Sequence, residues 1–330
     1  MRLCFISQYD GRLDEGMGNI AFHLCHELSQ NHNVLHLKIV PYMPPAATFW
    51  QKIAEFQPQI IHLIAGPSIR GLLLLKIFKL LHHNIKTVAS TPQPNFSVFE
   101  KRFIPLFKPD LVLFQSHESE MLFANYGCRT RFLMNGVDIE KFSPAAESVK
   151  QELRNKYQVS AEKFVVLHVG PVKKNRNMML LNKLSQDRNT QVIIAGGITS
   201  GEDLEVHRDL EAGGCLVLRK YFEHVEELYA LSDCYIFPTM DKIGCIEIPL
   251  SVLEAMACNL PVVSTRYGAL PMVFAEGAGL WYAKKEEEFV HLLNKVKAGI
   301  EVKTREKVLL YSWKNVAGKL ETIYAEILDK

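Results

Sequence analysis

Apolar and polar positions alternate in blocks along this chain. Short apolar runs lie at residues 3–7, 34–40, 59–65, 87–90, 111–115 and 131–134, and helical patterns separate most of them. Runs of this length read as strands buried on both faces, and their alternation with helices implies a parallel sheet covered on both sides. The pattern stops after Pro144 and restarts at 164–169, 191–195, 215–218, 234–237, 262–264 and 279–282. Between the two series, residues 143–162 hold a polar helix and little else. The pattern therefore predicts an α/β chain of two parallel-sheet domains, 1–143 and 144–312. A last helix, 313–328, opens the closing segment 313–330. A length of 330 residues suits two domains of about 150 each. No short repeat appears, which argues against a solenoid.

The stretch 246–265 carries the most chemistry. Pro249 suits the first turn of a helix, where a missing N–H costs nothing. Leu250, Val252, Leu253, Met256 and Ala257 recur at helical spacing, and Asn259 suits a left-handed cap. Val262 to Thr265 then read as a buried strand. One carboxylate, Glu254, sits inside this apolar helix. Burying it is costly unless it meets hydrogen-bond donors, which sugar or ribose hydroxyls would supply. The helix start at Pro249, Leu250 and Ser251 offers N–H groups and a positive dipole end to a phosphate.

Ligands of open parallel sheets bind beyond the C-terminal strand ends. After the first predicted strand come Asp14, Glu15, Gly16, Met17, Gly18 and Asn19, where Gly16 and Gly18 let backbone N–H groups approach an anion. A plain tight turn would look the same. The dinucleotide fingerprint G-x-G-x-x-G is absent, which argues against a dehydrogenase. The second domain's first strand ends at Val169-Gly170, followed by Lys173, Lys174 and Arg176. Three cations on a strand-to-helix loop suit a diphosphate through charge-assisted hydrogen bonds, although charge alone favours a solvated basic turn.

Composition sets weaker limits. The formal charge of +2 leaves no basic surplus for nucleic acid as main partner. Up to Pro144 there are 14 Lys/Arg against 11 Asp/Glu, and 24 against 25 afterwards. Seven scattered cysteines without C-x-x-C spacing read as reduced thiols of a cytoplasmic protein. The N-terminal apolar run is too short for a signal peptide, and the run at 72–81 is interrupted by Lys76 and Lys79. Helix 69–81 reads as an ordinary Rossmann helix with a wet side. Its alternative is a peripheral patch on the inner membrane face that receives a lipid-linked acceptor. No Asp-x-Asp pair exists, the pairs His23/His26 and His82/His83 lack partnering carboxylates, and no G-x-S-x-G elbow is present. These absences argue against a metal site and a serine hydrolase. No cofactor is expected.

E-A-M-A-C-N-L-P-V-V at 254–263 resembles the donor-site helix of retaining nucleotide-sugar glycosyltransferases of the GT-B class, glycosyltransferase family 4 in particular. Asn135-Gly136-Val137-Asp138 with Phe142 and Pro144 resembles that family's interdomain segment. Residues 225–239 resemble its helix and strand ending in P-S, and Tyr311-Ser312-Trp313 its F-S-W. The resemblance implies two Rossmann-like domains facing a cleft, with the last helix crossing back to the first. It also implies a nucleoside-diphosphate sugar donor and a glycan, lipid-linked or small-molecule acceptor, with no metal. Retaining members are described with same-face attack, in which a leaving-group phosphate oxygen takes the acceptor's proton. Arg176, the two lysines, the Gly16 and Gly18 amides and the helix start would stabilise the departing diphosphate.

Three positions depart from the family pattern. Alignment on Gly170 puts Arg176 on the family lysine but Pro171 on its arginine, so Lys173 or Lys174 would reach the phosphate. The first of two spaced glutamates falls on Ile246, and Glu247 stands one place late as the sugar-contacting acid. Thr91 stands where the family often has histidine near the sugar. Two other readings remain open: a nucleotide-sugar epimerase of the same fold, and a catalytically inactive GT-B binding subunit.

Overall fold

The structure, a computed structural model, describes residues 1–9, 11, 13, 15–40, 43–196 and 203–329. Contacts divide the chain into two compact units, Met1–Gly136 with Trp313–Lys330, and Val137–Ser312. The first unit holds strands β1 (Arg2–Ser7), β2 (Asn33–Lys38), β3 (Ile60–Ile64), β4 (Lys86–Ser90), β5 (Leu111–Phe114) and β6 (Thr130–Phe132). They form a parallel sheet in the order β2-β1-β3-β4-β5-β6. The second holds β7 (Phe164–Val169), β8 (Thr190–Gly196), β9 (Leu216–Arg219), β10 (Cys234–Phe237), β11 (Val262–Thr265) and β12 (Leu280–Ala283). Its parallel order is β12-β11-β10-β7-β8-β9.

Each predicted strand is present, its ends displaced by at most two residues. All five residues of β3 and all four of β10 are buried, so continuous apolar runs rather than alternating ones specified these strands. In each unit the chain winds one way from one central strand and the other way from its neighbour. These switch points lie between β1 and β3, and between β7 and β10. In open parallel sheets such points leave a crevice beyond the strands' C-terminal ends, and the loops carrying the candidate chemistry follow those ends.

The last helix, Trp313–Leu328, buries Trp313, Val316, Ala317, Leu320, Ile323, Tyr324 and Ile327 at helical spacing within the first unit. Tyr324 Oη lies 2.5 Å from His62 Nδ1, and His62 Nε2 lies 2.7 Å from Ser90 Oγ. Burial pushes His62 down to about 3, so this bridge from the helix to β3 and β4 is neutral at physiological pH. Trp313 stacks on His23 with centroids 4.8 Å apart. A side chain at Gly136 would run into the Trp313 ring, which accounts for the glycine in Asn135-Gly136-Val137-Asp138.

Candidate functional site

The site is built at the β7/β10 switch point of the second unit. β10 is followed by Pro238 and Thr239 and a loop to the helix Leu250–Ala257. Pro249 is the N-cap of this helix, with ψ 124°, one position ahead of the predicted first turn. Proline has no capping side chain, so the helix start keeps its capacity for an anion. Asn259 closes the far end with φ 56°, as its sequence position suggested.

Ser251 is fixed from below by Tyr235, whose hydroxyl donates to Ser251 Oγ at 2.8 Å and lies 3.3 Å from the Val169 carbonyl. One turn further, Tyr229 Oη donates to Glu254 Oε2 at 2.7 Å. The Tyr229 and Tyr235 rings stack with centroids 5.8 Å apart. Burial raises the Glu254 carboxyl to about 7, with the Tyr229 bond and Lys141 pulling it down and Glu226 pushing it up. One donor reaches Oε2, and the carboxylate keeps further acceptor capacity for ligand hydroxyls.

Arg176 is 7 % exposed although it is a charged loop residue. Its Nε donates to the Gly244 carbonyl at 2.9 Å, tying the loop after β7 to the loop after β10. Its Nη1 lies against Gly170, where a Cβ would collide with it, and Gly170 has φ +149°. The glycine is therefore required both by its backbone and by the guanidinium. Beside them His168 is completely buried. Its Nδ1 donates to the Ile236 carbonyl at 2.9 Å, which leaves Nε2 an acceptor, buried and without a partner. Burial first and the nearby Arg176 charge hold His168 down to about 4, so it is neutral. Lys173 is half-buried and its ammonium is held below its ordinary value by burial and by Arg176. Lys174 is exposed on the short 3-10 turn Lys174–Arg176.

The loop after β10 is pinned by Tyr267. Its hydroxyl accepts from Cys245 N at 2.9 Å and lies 2.5 Å from the Cys245 carbonyl. Ile246 is 5 % exposed and Ile248 fully buried, while Glu247 between them is partly exposed. The Glu247 carbonyl accepts from Ala269 N at 2.9 Å, and Gly268 packs so tightly there that no Cβ would fit.

The structure thus brings Gly170, Lys173, Arg176, Pro249, Leu250, Ser251 and Glu254 into one unit, around the C-terminal ends of its central strands β7 and β10. Gly16, Gly18 and Thr91 belong to the first unit. Gly16 opens the helix Gly16–Ser29, capped by Glu15, whose carboxylate accepts from Met17 N at 3.1 Å and Gly18 N at 2.7 Å. The amide expected to meet an anion already has one from its own chain. Thr91 is completely buried and donates through Oγ1 to the Leu113 carbonyl at 3.0 Å. Asp14 lies outside the described residues. The roles of Tyr229, Tyr235, Tyr267, His168 and Glu15 went unread. The only available signal for them was polar residues inside or beside apolar strands and helices. Among the described residues, no group of three or more His, Cys, Asp or Glu side chains could hold a metal ion.

Residues 163–297 match the sequence model of the family described as Glycosyl transferases group 1. Sulfoquinovosyl transferase SQD2 of Arabidopsis thaliana is 27% identical over 245 residues, covering 68% of this chain and 46% of that protein. D-inositol 3-phosphate glycosyltransferase of Geodermatophilus obscurus is 26% identical over 268 residues, covering 74% and 58%. The chain spans about half the length of these relatives. Among solved structures, sucrose-phosphate synthase from Thermosynechococcus elongatus superposes with a TM-score of 0.80 at 15% identity, covering all of both chains. Anabaena HepE in complex with UDP-glucose gives 0.72 at 19% identity, covering 100% of this chain and 98% of that one. The fold is GT-B, with two six-stranded parallel sheets.

Proposed function

We propose that this chain is a glycosyltransferase that moves a sugar from a nucleoside-diphosphate sugar to a hydroxyl acceptor, a glycan, lipid-linked or small molecule, with retention and without a metal. The observation that carries the reading is the β7/β10 crevice. There a buried guanidinium lies across Gly170, beside the buried acceptor His168 Nε2, and a helix start precedes a carboxylate raised to about 7. A buried cation and an uncapped helix start suit a diphosphate, and a partly buried carboxylate suits ribose hydroxyls. The match to Glycosyl transferases group 1 and the relatives named sulfoquinovosyl transferase and D-inositol 3-phosphate glycosyltransferase support it. So does a fold shared with HepE, solved with UDP and with UDP-glucose.

In this reading the acceptor oxygen attacks the anomeric carbon on the face from which the diphosphate leaves. The bond from that carbon to the phosphate oxygen breaks, and the acceptor proton passes to a phosphate oxygen. Arg176, Lys173, Lys174 and the helix start at Pro249–Ser251 stabilise the departing charge. Glu254 holds the ribose and Glu247 the donor sugar. Gly16 and Gly18 would add amides only after Glu15 releases Gly18 N.

Incubation with a panel of nucleotide sugars labelled in the sugar tests the reading. Slow hydrolysis or transfer with release of the nucleoside diphosphate supports it. Epimer formation, or binding without any chemistry in the presence of hydroxyl acceptors, contradicts it.

A further inference from the structure

Two tyrosines that the proposed reaction does not use lie completely buried beside the helix Leu250–Ala257. Tyr229 comes from the helix Glu226–Ala230 and Tyr235 from β10, and their rings stack at 25° to one another. Phe142 packs edge-to-face on Tyr229 with centroids 5.5 Å apart, and His168 stacks on Tyr235 at 6.3 Å. A phenol buried this deeply needs an acceptor. Each finds one on the helix that carries the candidate site. Tyr229 Oη donates to Glu254 Oε2 at 2.7 Å, and Tyr235 Oη to Ser251 Oγ at 2.8 Å. Burial pushes both phenols above their ordinary range, so both stay protonated donors. The two acceptors are left with opposite capacities. A serine oxygen that accepts from Tyr235 keeps its own proton to donate, which suits a phosphate oxygen. A carboxylate that accepts on Oε2 keeps Oε1 to accept, which suits a ribose hydroxyl. Among the described residues, neither Ser251 Oγ nor Glu254 Oε1 has another hydrogen bond.

We propose that Tyr229 and Tyr235 are positioning residues for the donor nucleotide, Tyr229 serving the ribose through Glu254 and Tyr235 the diphosphate through Ser251. The assignment rests on the nucleotide site proposed above. Each tyrosine acts through the side chain it holds. A stacked, fully buried ring has little freedom, so its hydroxyl fixes Glu254 or Ser251 before any ligand arrives. A side chain already in its binding rotamer loses less entropy when the ligand binds. The division of labour follows from the chain: Ser251 stands in the first turn of the helix, where amides face an anion, and Glu254 one turn further in.

The test is calorimetric titration of the whole chain with a pair of ligands. One is whichever of uridine, adenosine and guanosine diphosphate binds most tightly, and the other is its 2′,3′-dideoxy form. Tyr229→Phe should weaken the ribonucleotide about threefold to tenfold and leave the dideoxy form unchanged. Tyr235→Phe should weaken both ligands alike, again by about threefold to tenfold. Tyr229→Phe added to Glu254→Gln should cost nothing further, and likewise Tyr235→Phe added to Ser251→Ala. Phenylalanine keeps each ring in its place, so near-ultraviolet circular dichroism should report an intact fold. A merely structural role would let Tyr229→Phe weaken the dideoxy form as well, and would let either cost persist in the double variants. That result overturns the assignment, as do Tyr→Phe variants that bind like the native chain. Failure of the native chain to bind any of the diphosphates is a different outcome: it overturns the donor site itself, and this assignment with it.

Discussion

Replacement of Glu254 by Gln should move stability and ligand affinity in opposite directions. The carboxyl is raised from 4.5 to about 7, chiefly by burial. A raised carboxyl means that the folded protein binds the proton more tightly than the unfolded chain between these two values. The empty protein therefore gains stability as pH falls through that window and loses it as pH rises. At about 1.4 kcal/mol per unit, the ionised group costs up to about 3 kcal/mol above pH 7. Gln can still accept from Tyr229 Oη, so the 2.7 Å bond survives. Denaturant titration at pH 8 should then find Glu254→Gln more stable than the native chain by about 1–3 kcal/mol, a difference that vanishes near pH 4.5. Calorimetry with a nucleoside diphosphate should find affinity weakened by about 1–3 kcal/mol, because charge-assisted bonds to the ribose are lost. An unchanged affinity refutes the ribose role. A stability difference that does not depend on pH refutes the burial cost.

Other expectations are direct. Gly170→Ala should destabilise the protein by about 1–3 kcal/mol, because φ +149° and the overlying Arg176 both exclude a side chain; denaturant titration checks it. Glu247→Ala should lower transfer about 10- to 1000-fold with nucleotide affinity barely changed, if its carboxylate holds the donor sugar. Normal turnover would assign that contact elsewhere. Transfer should persist in excess EDTA, because the loop cations take the charge of the leaving group. Loss in EDTA with recovery in manganese or magnesium would contradict that assignment.

The fold was legible because its signals are local. Val262-Val263-Ser264-Thr265 is buried throughout, and an apolar run between turns needs no distant information to read as a strand. The helix Leu250–Ala257 was equally plain, from Pro249 at its start to Asn259 beyond its end. The site was legible only in its residue types. Lys173 and Lys174 are adjacent and alike in sequence, but one is half-buried beside Arg176 and the other exposed. Arg176 itself is held by the Gly244 carbonyl, a partner 68 residues away that no local pattern encodes. The Glu15 cap was missed for a different reason. A glycine pair at a helix start looks the same whether its anion comes from a ligand or, as here, from the Glu15 carboxylate directly before it. Ile246, at the position of the family's first glutamate, is buried at 5 % exposure, an environment that an unpaired carboxylate would occupy only at a cost.

The central claim is that the β7/β10 crevice of the second unit holds a diphosphate. Calorimetric titration of uridine, adenosine and guanosine diphosphates and monophosphates into the native chain and Arg176→Ala tests it most directly. At least one diphosphate should bind about tenfold or more tightly than its monophosphate, and Arg176→Ala should remove that difference while the protein remains folded. Absence of binding by every diphosphate, or a diphosphate preference that survives in folded Arg176→Ala, would contradict the account.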